Sequence, residues 1–160
     1  SEMCIRDRFI SNDIKKIKLI MIQEFYNLRI NTNGQKLYEF TNNTIDWVKK
    51  NNFKNGILNL TIQHTSASLI VQENADPDVQ IDLINYFNKL APMDKSLYIH
   101  TTEGKDDMPA HIKSALTNNQ ISFSIKKNEI LLGTWQGIYL FEHRLEPQNR
   151  TIIHHFIGEI

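Results

Sequence analysis

Apolar and polar residues alternate along much of this chain. The clearest run is Gly56 to Gln63, where Leu58, Leu60 and Ile62 fall on one side and Ile57, Asn59, Thr61 and Gln63 on the other. A period of two predicts a strand with one buried face. Extended runs are also predicted over 22–31, 35–40, 69–74, 97–101, 121–126, 129–134, 135–144 and 151–157. Turn signals separate several of them: Asn33-Gly34, Lys127-Asn128 and Pro147-Gln148-Asn149. The period lengthens in three places. Ile45, Trp47 and Val48 before Lys49-Lys50 fit a short helix. Val79, Leu83, Tyr86, Phe87 and Leu90 follow Asp76-Pro77, an N-cap and a first-turn proline. A third helix opens at Met108-Pro109, with Asp107 as its cap, and runs to about residue 118. Strands joined by short turns imply antiparallel pairing. The pattern therefore predicts an α+β fold: an antiparallel β-sandwich or flattened barrel with about three helices packed over it.

The stretch from Leu131 to Arg144 departs from simple alternation. If extended, Trp135, Gly137, Tyr139, Phe141 and His143 share one face, and Gln136, Ile138, Leu140, Glu142 and Arg144 the other. Apolar groups on both sides predict that both faces are covered. Glu142 and Arg144 then need partners, because a buried charge without one is costly.

Composition narrows the class. The 160 residues are 41% hydrophobic, enough for one domain with a true core. Eighteen basic residues balance eighteen acidic ones, which gives no support to a general nucleic-acid or membrane-surface binder. A single cysteine, Cys4, excludes an internal disulfide and a cysteine-based zinc site. Residues 1–20 are expected to be an N-terminal extension, non-native (a tag scar or sequencing artefact) or disordered, and residues 21–160 a single domain. No spanning helix or signal peptide is expected, so the chain is placed in the cytoplasm.

Any chemistry must come from His, carboxylate, Arg and hydroxyl groups. His64, His100, His111 and His143 each fall near the end of an element, where site residues are commonly presented. His100 and His111 flank a loop with Glu103, Asp106 and Asp107. His111 sits in a first helical turn, where the dipole favours a neutral ring able to bind a metal. Two or three such rings with a carboxylate suit a divalent ion, Zn, Mg or Mn, with His100, His111 and His143 as ligands. Taken singly, each is more often an ordinary hydrogen-bonded histidine; for all four together that is less expected. His64-Thr-Ser-Ala-Ser68 offers hydroxyls and backbone N–H groups to an anion. Glu73 can serve as a base, with Asn74 beside it. Arg144 suits phosphate, and Trp135 can stack on a flat ring beside Gln136. His154, His155 and Arg150 are expected to be structural or surface residues.

Together these segments resemble the YjbQ-like family, called the secondary thiamine-phosphate synthase enzyme family. The matching stretches are Gln63-His-Thr-Ser-Ala-Ser68, Gln72-Glu-Asn-Ala-Asp-Pro77, the run from His100 to Lys113, and Leu132-Gly-Thr-Trp-Gln-Gly-Ile-Tyr-Leu-Phe-Glu-His-Arg144. The resemblance implies a homotrimer with its pocket near subunit boundaries. It implies a weak transferase that joins a hydroxymethylpyrimidine diphosphate to a thiazole phosphate. His64, Glu73, Asp107, His111 and His143 would then be catalytic. Ser66, Ser68, Asn74, Trp135, Gln136 and Arg144 would hold a small phosphorylated metabolite. The same residues equally allow a metal-dependent hydrolase, or a non-catalytic trimeric binder of a metal or phosphorylated metabolite.

Overall fold

The computed structural model describes residues 21–160. The extension expected over residues 1–20 lies outside the described residues.

Among the described residues, eight strands form two antiparallel sheets. In chain order they are β1 (Ile22–Thr32), β2 (Lys36–Glu39), β3 (Asn55–Ile62), β4 (Ala67–Glu73), β5 (Gln120–Lys126), β6 (Glu129–Ile130), β7 (Gln136–Glu142) and β8 (Gln148–Glu159). The larger sheet has the order β1-β8-β3-β5-β6, the smaller β2-β7-β4. Three helices, α1 (Thr41–Lys50), α2 (Pro77–Leu90) and α3 (Asp107–Leu116), connect them.

Local chemistry accounts for most boundaries. The Asp76 side chain accepts from the Asp78 N–H, and Pro77 opens α2. Lys127 and Asn128 both have positive φ, 53° and 66°, as the tight turn between β5 and β6 requires. Residues 97–101 were expected as a strand. Instead Leu97 ends a single 3-10 turn, Lys95–Leu97, which the Asp94 side chain caps, and 98–101 have no regular structure. Without a strand to pair with, this segment stays a loop, and it carries His100 outward.

The main core lies between the sheets, where Leu58, Leu60 and Ile62 of β3 meet Ile138 and Leu140 of β7 and Ile152 and Phe156 of β8. A second cluster, Leu37, Tyr139 and Phe141, faces Ile84 and Phe87 of α2. Strand β7 is therefore covered on both faces, as its sequence requires, and from Gly137 to Glu142 every residue is buried.

Candidate functional site

Two charged residues leave the covered end of β7 and find different partners. Glu142 has no exposed surface and takes two hydrogen bonds from Arg150, each 2.7 Å. Thr32 adds a third at 2.9 Å. Arg150, expected at the surface, is 2% exposed. Its position on β8 is in phase with the buried Ile152, His154 and Phe156, so its guanidinium must point inward.

Arg144 turns the other way, to the loop before α3. Its Nε donates to Asp106 at 3.0 Å, its Nη1 to Asp107, and its Nη2 to the Glu103 carbonyl at 2.8 Å. Asp106 sits at the N-cap position but makes no cap hydrogen bond; its Oδ2 instead accepts from both the Arg144 Nε and the Leu145 N–H. Burial alone would raise the Asp106 carboxyl. The Leu145 and Arg144 hydrogen bonds outweigh burial and hold it below the ordinary carboxylate value.

Asp107 lies in the first turn of α3 and is 2% exposed. Its Oδ1 faces Arg144. Its Oδ2 lies 2.8 Å from His100 Nε2 and 3.4 Å from His111 Nε2. The three ligand atoms of His100, Asp107 and His111 all fall within 4.8 Å of one another. Glu103 stands on the rim, 3.9 Å from His100 Nε2. Both rings are partly open to solvent.

The tautomer of His111 follows from its other nitrogen. Nδ1 lies 3.0 Å from the Thr65 carbonyl, which can only accept, so Nδ1 carries the proton. In the neutral ring Nε2 then offers a lone pair, and it offers it toward a carboxylate oxygen. Two acceptors facing each other call for a proton or a cation between them. A ring N–H tied to a backbone carbonyl is also how metal-binding histidines are oriented. For tetrahedral bonds of ~2.0–2.2 Å, donor atoms stand roughly 3.3–3.6 Å apart, so the donor set fits an ion with small adjustments. Two imidazoles favour a zinc-like ion over Mg.

His143 stands outside this group. It has no exposed surface, and its Nε2 lies 2.8 Å from the Ser68 hydroxyl. Its Nδ1 has no hydrogen-bond partner among the described residues. Burial, then Lys113 and Arg150, pushes its pKa down to about 3. Ser68 is itself fully buried. The hydroxyl of Ser66, also buried, lies 3.1 Å from His64 Nδ1 and accepts from Arg150 at 3.1 Å. These serines thus face inward groups rather than an open anion loop.

His64 does reach the surface beside the cluster. Its Nδ1 accepts from the Ser66 N–H at 3.1 Å, which leaves Nε2 as the N–H donor. Burial and the Arg150 charge lower its pKa and keep it neutral. His64, Thr65, His111, Ser114, Thr117 and Asn119 line a cleft of about 410 Å³ with no carboxylate in its wall.

Glu73, Asn74, Trp135 and Gln136 gather elsewhere. Glu73 pairs with Gln136 at one end of the β4–β7 ladder, and Ala67 with Glu142 at the other. Seven residues of strand put about 20 Å between those ends. There the Asn74 N–H donates to the Trp135 carbonyl, and Trp135 is 64% exposed. Within the chain this group is remote from His100, Asp107 and His111.

A profile of the family described as "UPF0047 protein YjbQ-like" matches residues 26–159. The chain belongs to that family. A UPF0047 protein of Synechocystis is 47% identical over 133 residues, 83% of this chain and 90% of that one. UPF0047 protein YjbQ of Escherichia coli O157:H7 is 46% identical over 104 residues, 65% of this chain and 75% of that one. A crystal structure of a YjbQ/UPF0047 family protein from Clostridium acetobutylicum superposes with TM-score 0.70 at 30% identity, covering 86% of this chain and 99% of that one. A YbjQ-like protein of unknown function from Sulfolobus solfataricus shares the fold, with TM-score 0.81 at 21% identity over 88% of this chain and all of that one.

The expected transferase activity is corrected by these relatives. They carry only the family designation, or are described as of unknown function, and none carries a thiamine-phosphate synthase activity. Among the described residues, no helix is long and apolar enough to cross a membrane.

Proposed function

We propose that this protein binds a divalent metal ion through His100, Asp107 and His111 and receives a small oxyanion in the adjoining cleft. The observation that carries the reading is the placement of His111, whose Nδ1 faces the Thr65 carbonyl while Nε2 faces Asp107 Oδ2, so that the neutral ring turns a lone pair toward the carboxylate. Three protein donors leave a coordination position open, as in metal sites that meet a ligand. A bound ion would supply Lewis-acid chemistry toward an oxygen of that ligand. Within the cleft, the His64 Nε2–H, the Thr65 hydroxyl and the Asn119 amide can donate to a ligand oxygen, and no lining carboxylate opposes it. His143, sealed against Ser68, has no part in this reading.

Equilibrium dialysis against Zn²⁺ tests the metal centre. The wild-type chain is expected to retain about one ion, and Asp107→Asn or His111→Gln to bind it at least ~100-fold more weakly, since each removes a ligand. Retention unchanged in both variants would refute the centre. A second proposal concerns assembly. Leu97 and Ile99, on the segment that leads to His100, and Leu116, at the end of α3, are exposed, and α2 buries no residue fully. Exposed apolar groups of this kind support self-association with the site near a subunit boundary.

A further inference from the structure

Sequence patterning offers Arg144 to a phosphate. In the folded chain each of its three nitrogens is already engaged. The side chain is 17% exposed, and Nε, Nη1 and Nη2 reach Asp106, Asp107 and the Glu103 carbonyl. This divides the two oxygens of Asp107. Oδ1 is held by the guanidinium, and only Oδ2 is left to face His100 and His111. The loop is shaped for the same contact. Gly104 has φ +116°, and a Cβ there would lie 2.9 Å from Asp106 Oδ1 and 3.7 Å from Arg144 Nη2. Only glycine lets the loop close over the guanidinium. A second fastening comes from the Leu145 N–H, which donates to Asp106 Oδ2 at 2.9 Å. One side chain at the end of β7 thus grips the loop that carries His100 and the helical turn that carries Asp107.

We infer that Arg144 is a positioning residue for the His100–Asp107–His111 centre, fixing which carboxylate oxygen faces the imidazoles and where the His100 loop sits. The inference rests on the metal reading above. Arg144 itself touches neither the ion nor a ligand in the cleft. Lysine cannot replace it, because one ammonium cannot span two carboxylates and a carbonyl in a fixed plane.

Calorimetric titration of Zn²⁺ into the full chain, with Co²⁺ absorption as a second probe, tests this on wild type, Arg144→Lys and Asp106→Asn. Outer groups that orient ligands typically account for 10- to 100-fold in affinity, so Arg144→Lys is expected to weaken Zn²⁺ by roughly that factor. Asp106→Asn, which loosens one anchor, is expected to weaken it less. The Co²⁺ d–d bands of both variants are expected to change in position and intensity, which a general loss of stability would not cause. Should Arg144→Lys fail to fold, Asp106→Asn decides alone. Wild-type affinity and an unchanged Co²⁺ spectrum in the folded variants would overturn the role of Arg144 and leave the metal centre standing. A wild-type chain that binds neither ion would overturn the metal reading and this inference with it.

Discussion

Glu142 and Arg150 show how much one buried pair can fix. Neither has water to fall back on, so each depends on the other for its charge. Arg150→Met removes the cation and leaves Glu142 with Thr32 and two backbone N–H groups of its own turn. Breaking a buried pair from one side costs ~3–5 kcal/mol, because the remaining charge is stranded. Urea unfolding is expected to show that loss, and Glu142→Leu in the same chain to restore much of it. A loss below ~1 kcal/mol in the single variant would contradict the pairing. Half of this pair was legible in sequence, since a covered strand ending in Glu142 demands a partner. Arg150 was not, because the last strand was expected to begin at Thr151, one residue too late to include it in the inward phase.

At the scale of elements, α2 is a long helix that buries no residue fully. Ile84 and Phe87 cover the Tyr139–Phe141 cluster, while Ile81, Tyr86 and Leu90 stay exposed. A helix with apolar groups on more than its core-facing stripe is suited to a second surface. On the assembly proposal, light scattering after size exclusion is expected to give a mass above one chain, and Ile81→Glu with Tyr86→Glu to reduce it. A single-chain mass at all concentrations would contradict the proposal. The helices themselves were readable from caps and period, as at Asp76-Pro77. The segment 97–101 was not: Leu97, Tyr98 and Ile99 have strand propensity, but they lack a pairing partner, and propensity yields to that.

Across the whole molecule, two buried histidines contribute most visibly to the response to acid. Burial, with Lys113 and Arg150, takes His143 from 6.5 to about 3, and burial takes His154 to about 4. His154 is enclosed by Tyr26, Phe40 and Trp47. Both rings bind a proton less readily folded than unfolded. Stability is therefore complete above the unfolded value and falls as pH drops from 6.5 toward the folded values. Each ring contributes up to ~1.4 kcal/mol per pH unit in that window. Denaturant midpoints from pH 7 to pH 4.5 are expected to fall, and His154→Phe to flatten the fall. An equal slope in that variant would remove His154 from the effect.

The candidate site was legible in its residue types and only partly in its geometry. His100, Asp107 and His111 lie close in sequence, on one loop and one helical turn, so their convergence was readable. The orientation of each donor depends on Thr65 and Arg144, brought from distant strands, and spacing carries no trace of that. His143 looked like a ligand by type, yet it follows a covered strand and inherits that strand's burial. The central claim is that His100 and His111 coordinate through Nε2 while the buried rings do not. Nitrogen NMR on chain labelled in its histidine rings tests it directly. On adding Zn²⁺, the Nε2 signals of His100 and His111 should shift together at about one equivalent, with His143 and His154 unmoved. Rings of His100 and His111 that ignore the ion, or a response centred on His143, would contradict the account.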